Sequence, residues 1–387
     1  MDRHYFDWAA TAIPDPALNA LPPFEAFGNP SSLHREGRAA RVALEDARSR
    51  CAAVLGVPAK HLIFTSGGSE SNALVIHSLA LRKSFTCFLS SAVEHSSVRE
   101  NCAVLEDTGK KVGFIAVNPD GRVSPETLDK ALEKYPDCRF AAIMAVNNET
   151  GAVMDMPLLT ARIRSRHSTG ERGPPVHIHS DLVQAAGKTP LDIIGWDLDS
   201  ASFSAHKLGG PRGIGLLYLK KPLEALYTGG GQESGIRPGT ENTHGALMLA
   251  EVLERRAGPG FGEAYSAAAL RWKRLIRGLK EIDRCSLIPS GRDDADRGDI
   301  AFSPWILQAA FKDIPGEVMV RALDGAGFAL STGSACASRE QDRPVLSAMG
   351  LPDHKALEGL RFSQGWSTTD EEIDLLLDAI REALKFL

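Results

Sequence analysis

Between residues 35 and 250 the sequence alternates short apolar runs with stretches in which apolar residues recur at helical spacing, and this alternation constrains the fold more than any other feature. Residues 61–65, 85–90, 111–116, 140–146, 176–179, 200–204 and 213–219 read as strands buried on both faces. Between them, residues 35–55, 69–82, 96–108, 125–135 and 157–167 carry the spacing of amphipathic helices. Strand alternating with helix predicts a mostly parallel sheet covered on both sides. Beyond residue 239 the pattern changes. Residues 240–256 and 263–282 read as long helices, leading to mixed strands and helices closed by an amphipathic helix at 370–386. The expected class is α/β, with a large parallel-sheet domain over residues 13–255. A smaller α+β domain would span residues 256–387 and include residues 1–12.

Composition narrows the function. At 387 residues, with 43% hydrophobic and 24% charged, the chain has the make-up of a globular protein with real cores. Its 44 basic residues against 49 acidic ones leave a net charge of −5, which argues against a nucleic-acid binder. No apolar run reaches the ~18 residues of a membrane span, and no basic-then-apolar leader opens the sequence. Cys51, Cys87, Cys102, Cys138, Cys285 and Cys336 are scattered without a C-x-x-C pair, so neither a disulfide framework nor a zinc site is expected. These features predict a cytoplasmic enzyme. The first five cysteines read as small buried hydrophobes.

Three places combine residue types that carry chemistry. A strand at 200–204 runs through Ser204 to His206 and Lys207 before a glycine turn. A lysine desolvated at a strand end has a lowered pKa and is a usable amine nucleophile for a carbonyl cofactor. Asp181 ends another strand, and a buried carboxylate there needs a cationic partner, such as a protonated pyridine nitrogen. Pyridoxal 5'-phosphate chemistry pairs these two groups. Residues 64–72 run from a strand through Gly67 and Gly68 into a helix with Ser69 near its start, a turn suited to phosphate. Two competing signals are weaker. Residues 184–189 end like a Walker loop, but Leu182 stands where its first glycine belongs. His177 and His179 share one strand face, as metal ligands can, yet no further ligand set completes a site.

At these residues the chain resembles the pyridoxal-phosphate-dependent cysteine desulfurases, the NifS/IscS-like group of class V aminotransferases. The resemblance spans nearly the whole chain. It includes residues 27–34, the turn at 64–68, Glu94-His95, residues 147–151, Asp181 and Gln184, Ser204-x-His206-Lys207, residues 229–233, Arg237 to Asn242, residues 331–336 and Arg361-Phe-Ser. It implies the transferase architecture called aminotransferase fold type I. It further implies that Lys207 carries the cofactor as a Schiff base, Asp181 pairs with the pyridinium nitrogen, His95 stacks on the ring and Gln184 bonds its phenolic oxygen. Gly68, Ser69, Ser204 and His206 would hold the phosphate, with Thr240 supplied by the partner subunit of a homodimer. Asn148, counted among the cofactor-binding residues too, and Arg361, helped by Asn29, would grip the substrate carboxylate. The phosphate turn reads Gly-Gly-Ser where the family often has Gly-Ala-Thr. No tail like the one by which some members dock an iron–sulfur scaffold is expected beyond the helix at 370–386.

Cys336 distinguishes this group. It follows Ser331-Thr-Gly-Ser-Ala, and the small residues around it predict an accessible thiol rather than a core one. The resemblance implies that L-cysteine becomes L-alanine while Cys336 takes the sulfur as a persulfide and passes it to an acceptor protein. Iron–sulfur cluster assembly, tRNA thiolation and specialised biosynthesis all use such sulfur. A selenocysteine lyase or another class V lyase or aminotransferase is the alternative within the family. A non-catalytic cofactor-binding module and a metal hydrolase built on His177 and His179 are the alternatives outside it.

Overall fold

Twelve strands fall into three sheets in the computed structural model, which describes residues 3–20, 27–168, 175–293, 301–333 and 342–387. The strands are β1 (His4–Tyr5), β2 (Leu62–Thr65), β3 (Cys87–Ser91), β4 (Lys111–Ile115), β5 (Cys138–Ala142), β6 (His177–Asp181), β7 (Ser200–Ser204), β8 (Gly215–Leu219), β9 (Cys285–Ile288), β10 (Ile306–Phe311), β11 (Phe328–Ala329) and β12 (Gly359–Ser363). The helices are α1 (Arg35–Leu55), α2 (Gly68–Ala80), α3 (Ser96–Ala103), α4 (Pro125–Lys134), α5 (Met156–Ser168), α6 (Thr243–Ala257), α7 (Phe261–Lys280), α8 (Gly316–Gly325), α9 (Pro344–Ala348), α10 (Asp353–Leu357) and α11 (Asp370–Ala383).

The large sheet has the order β2-β8-β7-β6-β5-β3-β4, with β8 alone running against the others. All its strands except the edge strand β4 are almost wholly buried because both faces are covered, β6 and β7 carrying His, Ser and Asp among their apolar residues. Phe88 and Phe140 point to the core shared with α2 and α3, while their neighbours Leu89 and Ala141 join the opposite core with α1, α4 and α6. A three-stranded antiparallel sheet, β9-β10-β12, packs with α7, α8 and α11 around Phe311, Phe362, Leu377 and Trp272. The N-terminal strand β1 pairs in parallel with β11, His4 opposite Phe328, and so sits beside this smaller sheet. Among the described residues no helix is long and apolar enough to cross a membrane.

Three sequence expectations need adjusting. The apolar run 140–146 leaves the sheet after Ala142, yet residues 143–146 stay buried: Ile143 N and Ala145 N still donate to His179 O and Asp181 O of β6 at 3.0 and 3.2 Å, while Met144, at the cavity, donates its N–H to Glu94 Oε1 at 2.7 Å. The helix expected over 96–108 stops at Ala103, and a separate 3-10 turn covers Glu106–Thr108. Cys285, at the start of an edge strand, is only half-buried, unlike Cys51, Cys87, Cys102 and Cys138.

Candidate active site

Each parallel strand of the large sheet except β4 delivers its carboxyl end, or the turn after it, to one cavity of about 540 Å³. Open parallel sheets bind ligands at this edge. From β2 come Gly68 and Ser69, from β3 Glu94 and His95, and from β5 Met144 and Asn148. Asp181 and Gln184 follow β6, and Ser204, His206 and Lys207 follow β7. Arg361 enters from β12 of the smaller sheet. Ten of the thirteen residues picked from the sequence therefore line one cavity.

The other three do not. Asn29 is exposed and its Oδ1 accepts Ser31 N at 2.9 Å, so the carboxamide closes a local turn and does not reach the cavity. Thr240 is also exposed and does not line the cavity within one chain. Cys336 lies outside the described residues.

The phosphate turn is built by close backbone approach. A Cβ on Gly215 of β8 would stand 2.5 Å from Gly67 Cα, and one on Gly68 would stand 2.7 Å from Val183 Cγ2. Only glycine lets the β2 turn settle against β8 and β6. No side chain caps α2, so the N–H groups of its first turn face the cavity with the positive end of the helix dipole.

Lys207 sits in the short 3-10 turn Ala205–Lys207, and its Nζ donates to Ala9 O and Ala10 O, both at 2.7 Å. Burial, followed by the nearby Arg361 guanidinium, pushes its pKa down to about 8. Burial and then the Lys207 charge push His206 down to about 4, so that imidazole is neutral; its Nδ1 lies 3.2 Å from Thr11 Oγ1. Burial also lowers the pKa of His95. Ser97 N donates to His95 Nδ1 at 3.1 Å, which puts the proton of the neutral ring on Nε2.

Asp181 is buried. Its Oδ1 accepts Val183 N and its Oδ2 accepts Asn72 Nδ2, both at 2.9 Å, and no basic side chain pairs with it among the described residues. Behind it runs a chain of hydrogen bonds that sequence reading did not foresee. His177 Nε2 and His179 Nδ1 both lie 2.8 Å from Ser200 Oγ, and His179 Nε2 lies 2.9 Å from Asn72 Oδ1. Burial holds His177 down to about 4 and His179 to about 3, so both rings are neutral. The paired histidines thus share one strand face, as expected, and they buttress Asp181 through Asn72. The sequence signal for Asn72 was its place three residues after Ser69 on α2, one turn further along the same face.

Two buried acids were also missed. Glu94 Oε1 accepts Ser91 Oγ at 2.6 Å as well as Met144 N, Oε2 has no partner, and burial raises its pKa to about 8. Glu149, with Oε2 unpartnered, is raised by burial too. Arg361 is more committed than the sequence suggested. Its Nη1 donates to Asn148 O at 2.9 Å and Gly333 O at 3.2 Å, its Nη2 to Asp7 Oδ1 at 2.8 Å and Ser331 Oγ at 3.1 Å, and only Nε lacks a partner. Asn148 Oδ1 is likewise buried without a partner.

A carboxyl without a cation, an amine without a carboxylate, and open helix N–H groups are the complement of one compound's pyridine nitrogen, aldehyde and phosphate. The residues present therefore fit pyridoxal 5'-phosphate. Comparison with known proteins gives the same answer. The family described as Aminotransferase class-V matches residues 4–376. The chain belongs to this family. A cysteine desulfurase from Cereibacter sphaeroides is 38% identical over 392 residues, covering 98% of this chain and 95% of the relative. The cysteine desulfurase IscS of Dictyoglomus turgidum is 34% identical over 400 residues, covering 99% and 95%. A solved structure described as a NifS-like protein superposes with a TM-score of 0.88 at 32% identity, covering 100% of both chains. As in other class-V chains, the cofactor is pyridoxal 5'-phosphate, and the seven-stranded, mostly parallel sheet is that of fold type I.

Proposed function

We propose that the protein is a cysteine desulfurase that converts L-cysteine to L-alanine and captures the sulfur on Cys336. The observation that carries the reading is the pair Asp181 and Lys207, opposite charges at the ends of adjacent strands β6 and β7, each without an ionic partner among the described residues. The near-full-length similarity to proteins named cysteine desulfurase supplies the substrate. When bound, pyridoxal phosphate supplies an aldehyde that condenses with amines and a ring that draws electrons from an amino acid's Cα.

The chain's own groups do the rest. Asp181 would accept the pyridine N–H, while Ser69, Ser204, His206 and the first turn of α2 would hold the phosphate beside Gly68. His95 would stack on the ring, and Gln184 would bond the phenolic oxygen. Lys207, its pKa pushed down to about 8 by burial, would hold the cofactor and then move the Cα proton at its Nζ. Asn148 and Arg361 take the substrate carboxylate. Both Arg361 Nη atoms are already engaged, so the carboxylate must use Nε or displace Asp7. Gly333 lines the cavity and stands three positions before Cys336, a reach of about 10 Å of extended chain. In the net transfer the substrate C–S bond breaks, an S–S bond forms on Cys336, and a proton ends on carbon.

The exposed Thr240 serves the second subunit of a homodimer, and exposed Leu33 and Val42 near and on α1 suit such an interface. The persulfide is passed to an acceptor protein, and five free thiols among the described residues suit the reducing cytoplasm. The chain is organised as a large unit over residues 13–255 and a small one formed by 256–387 with 1–12.

Alanine formation from L-cysteine tests the reading. The expected result is alanine with equimolar sulfide, sustained only with a thiol reductant. Cys336→Ala should keep the yellow cofactor and lose turnover of cysteine. A cofactor-loaded wild-type protein that forms no alanine would overturn the assignment.

A further inference from the structure

Lys188 lies in the turn after β6 with 2% of its surface exposed, and no carboxylate pairs with it among the described residues. An ammonium buried without a counter-ion is costly, so its presence beside the cavity asks for a role. Its Nζ donates to Gln184 Oε1 at 2.9 Å. Gln184 Nε2 in turn donates to Ala9 O at 2.9 Å, the same carbonyl that accepts Lys207 Nζ at 2.7 Å. Trp305 Nε1 donates to the Lys188 carbonyl at 2.8 Å and anchors the turn from the other side.

We propose that Lys188 is a positioning residue that locks the Gln184 carboxamide with its N–H groups toward the cavity, and thereby sets the ionisation of the cofactor oxygen that Gln184 faces. The inference rests on the cofactor reading above and deepens it.

The two ends of a carboxamide are nearly equal in shape and opposite in polarity. With Oε1 held by Lys188, only Nε2 is left to face Ala9 and the cavity. Released from Lys188, the amide can turn and present oxygen lone pairs to an anionic oxygen. The ammonium also polarises the amide and strengthens its N–H donors. Burial first, then the charges of Lys207 and Arg361, hold Lys188 down to about 7, and its amine can donate to Oε1 in either protonation state. Asp181, Asp7, His95, His206 and the buried acids Glu94 and Glu149 are titratable groups around Lys207 and the ring site, with Arg99, Glu100, Asp342 and Arg361 as further charged groups of the cavity wall, and a Lys188 substitution leaves them all in place. Losing the donor frees the Gln184 amide to turn its oxygen toward the cavity, which favours the protonated chromophore, so its pH midpoint should rise.

The test is a pH titration of the visible band of the holoenzyme, from about pH 6 to 10, in wild type, Lys188→Met, Gln184→Ala and the double variant. Lys188→Met should raise the midpoint by about one pH unit and add nothing in the Gln184→Ala background. Cofactor content and melting temperature of the same samples separate this from a folding defect. An unchanged midpoint in folded, loaded Lys188→Met, or an equal shift with and without Gln184, overturns the proposal. Where the Met variant does not fold, Lys188→Leu removes the same donor with a shorter side chain. It should give the same upward shift, and no shift overturns the proposal. A wild-type protein that develops no visible band with pyridoxal phosphate fails the cofactor reading itself, a failure visible before any variant is made.

Discussion

The edge of the large sheet and its cavity treat buried charge in opposite ways. At the edge strand β2, Arg48 and Glu233 meet in two parallel hydrogen bonds of 2.8 Å, Nη1 to Oε2 and Nη2 to Oε1. The same two side chains reach the free edge of β2: Arg48 Nη1 donates to Leu62 O at 2.8 Å, and Phe64 N donates to Glu233 Oε2 at 2.7 Å. Opposite charges there complete each other and cover an edge that would otherwise pair with another chain. At and just behind the cavity wall Arg361 is paired with Asp7, but Asp181, Lys207 and Lys188 are withdrawn from water and have no ionic partners among the described residues. One region closes its own electrostatics. The other leaves them open for a ligand.

The contrast is sharpest for activity. Lys207→Met should lower alanine formation by at least about a thousandfold, since one residue holds the cofactor and moves the proton. The folded apo-protein should not suffer in the same way, because an unpaired, desolvated amine is removed. The pH dependence carries the sign. Lys207 titrates near 8 in the fold against 10.5 in the unfolded chain. Between those values the unfolded chain binds the extra proton, so raising the pH across that window stabilises the wild-type apo-protein. Thermal melts of wild type and Lys207→Met at pH 8 and 10 read that difference, and a larger gain in the variant would contradict the burial argument.

At the sheet edge the expectation is reversed. Arg48→Met should cost about 3–5 kcal/mol of stability, because Glu233 is left buried and unpaired, with little change in cofactor affinity. Adding Glu233→Gln should restore part of the loss, since the amide still accepts Phe64 N without a stranded charge. Denaturant titrations of the single and double variants measure both. An Arg48→Met protein as stable as wild type would mean that the pair is solvated after all, and the contrast between the two regions would fail.

What the sequence made legible follows the same division. Periodicity is local, so α1 over Arg35–Leu55 and β7 over Ser200–Ser204 match their expected bounds, and Lys207 and Asp181 are found at strand ends. Contacts between distant segments leave no such trace. The Asp7–Arg361 ion pair joins residues 354 positions apart, and β1 finds its partner at Phe328. Asn72 belongs to the support of Asp181 through bonds to His179 on β6, a strand more than a hundred residues away. Glu94 and Glu149 stand inside motifs of the family resemblance, but sequence alone assigns them neither role nor burial; only folding strips their water.

Asn29 marks the boundary of that legibility and gives the smallest expected effect. The family resemblance sends it to the substrate carboxylate, whereas the fold of one chain leaves it exposed, with its carboxamide spent on Ser31 N. A side chain that closes an exposed turn contributes about 1 kcal/mol or less to stability, and nothing to a cavity it does not line. Asn29→Ala should therefore change kcat/KM for L-cysteine by less than about twofold, below 0.5 kcal/mol on the transition-state scale. A tenfold fall would require the residue to touch the substrate. Because it cannot do so from its own chain, that result would place Asn29 in the cavity of a partner subunit, alongside the exposed Thr240. The open electrostatics of the cavity would then be completed by a second copy of the chain as well as by the cofactor.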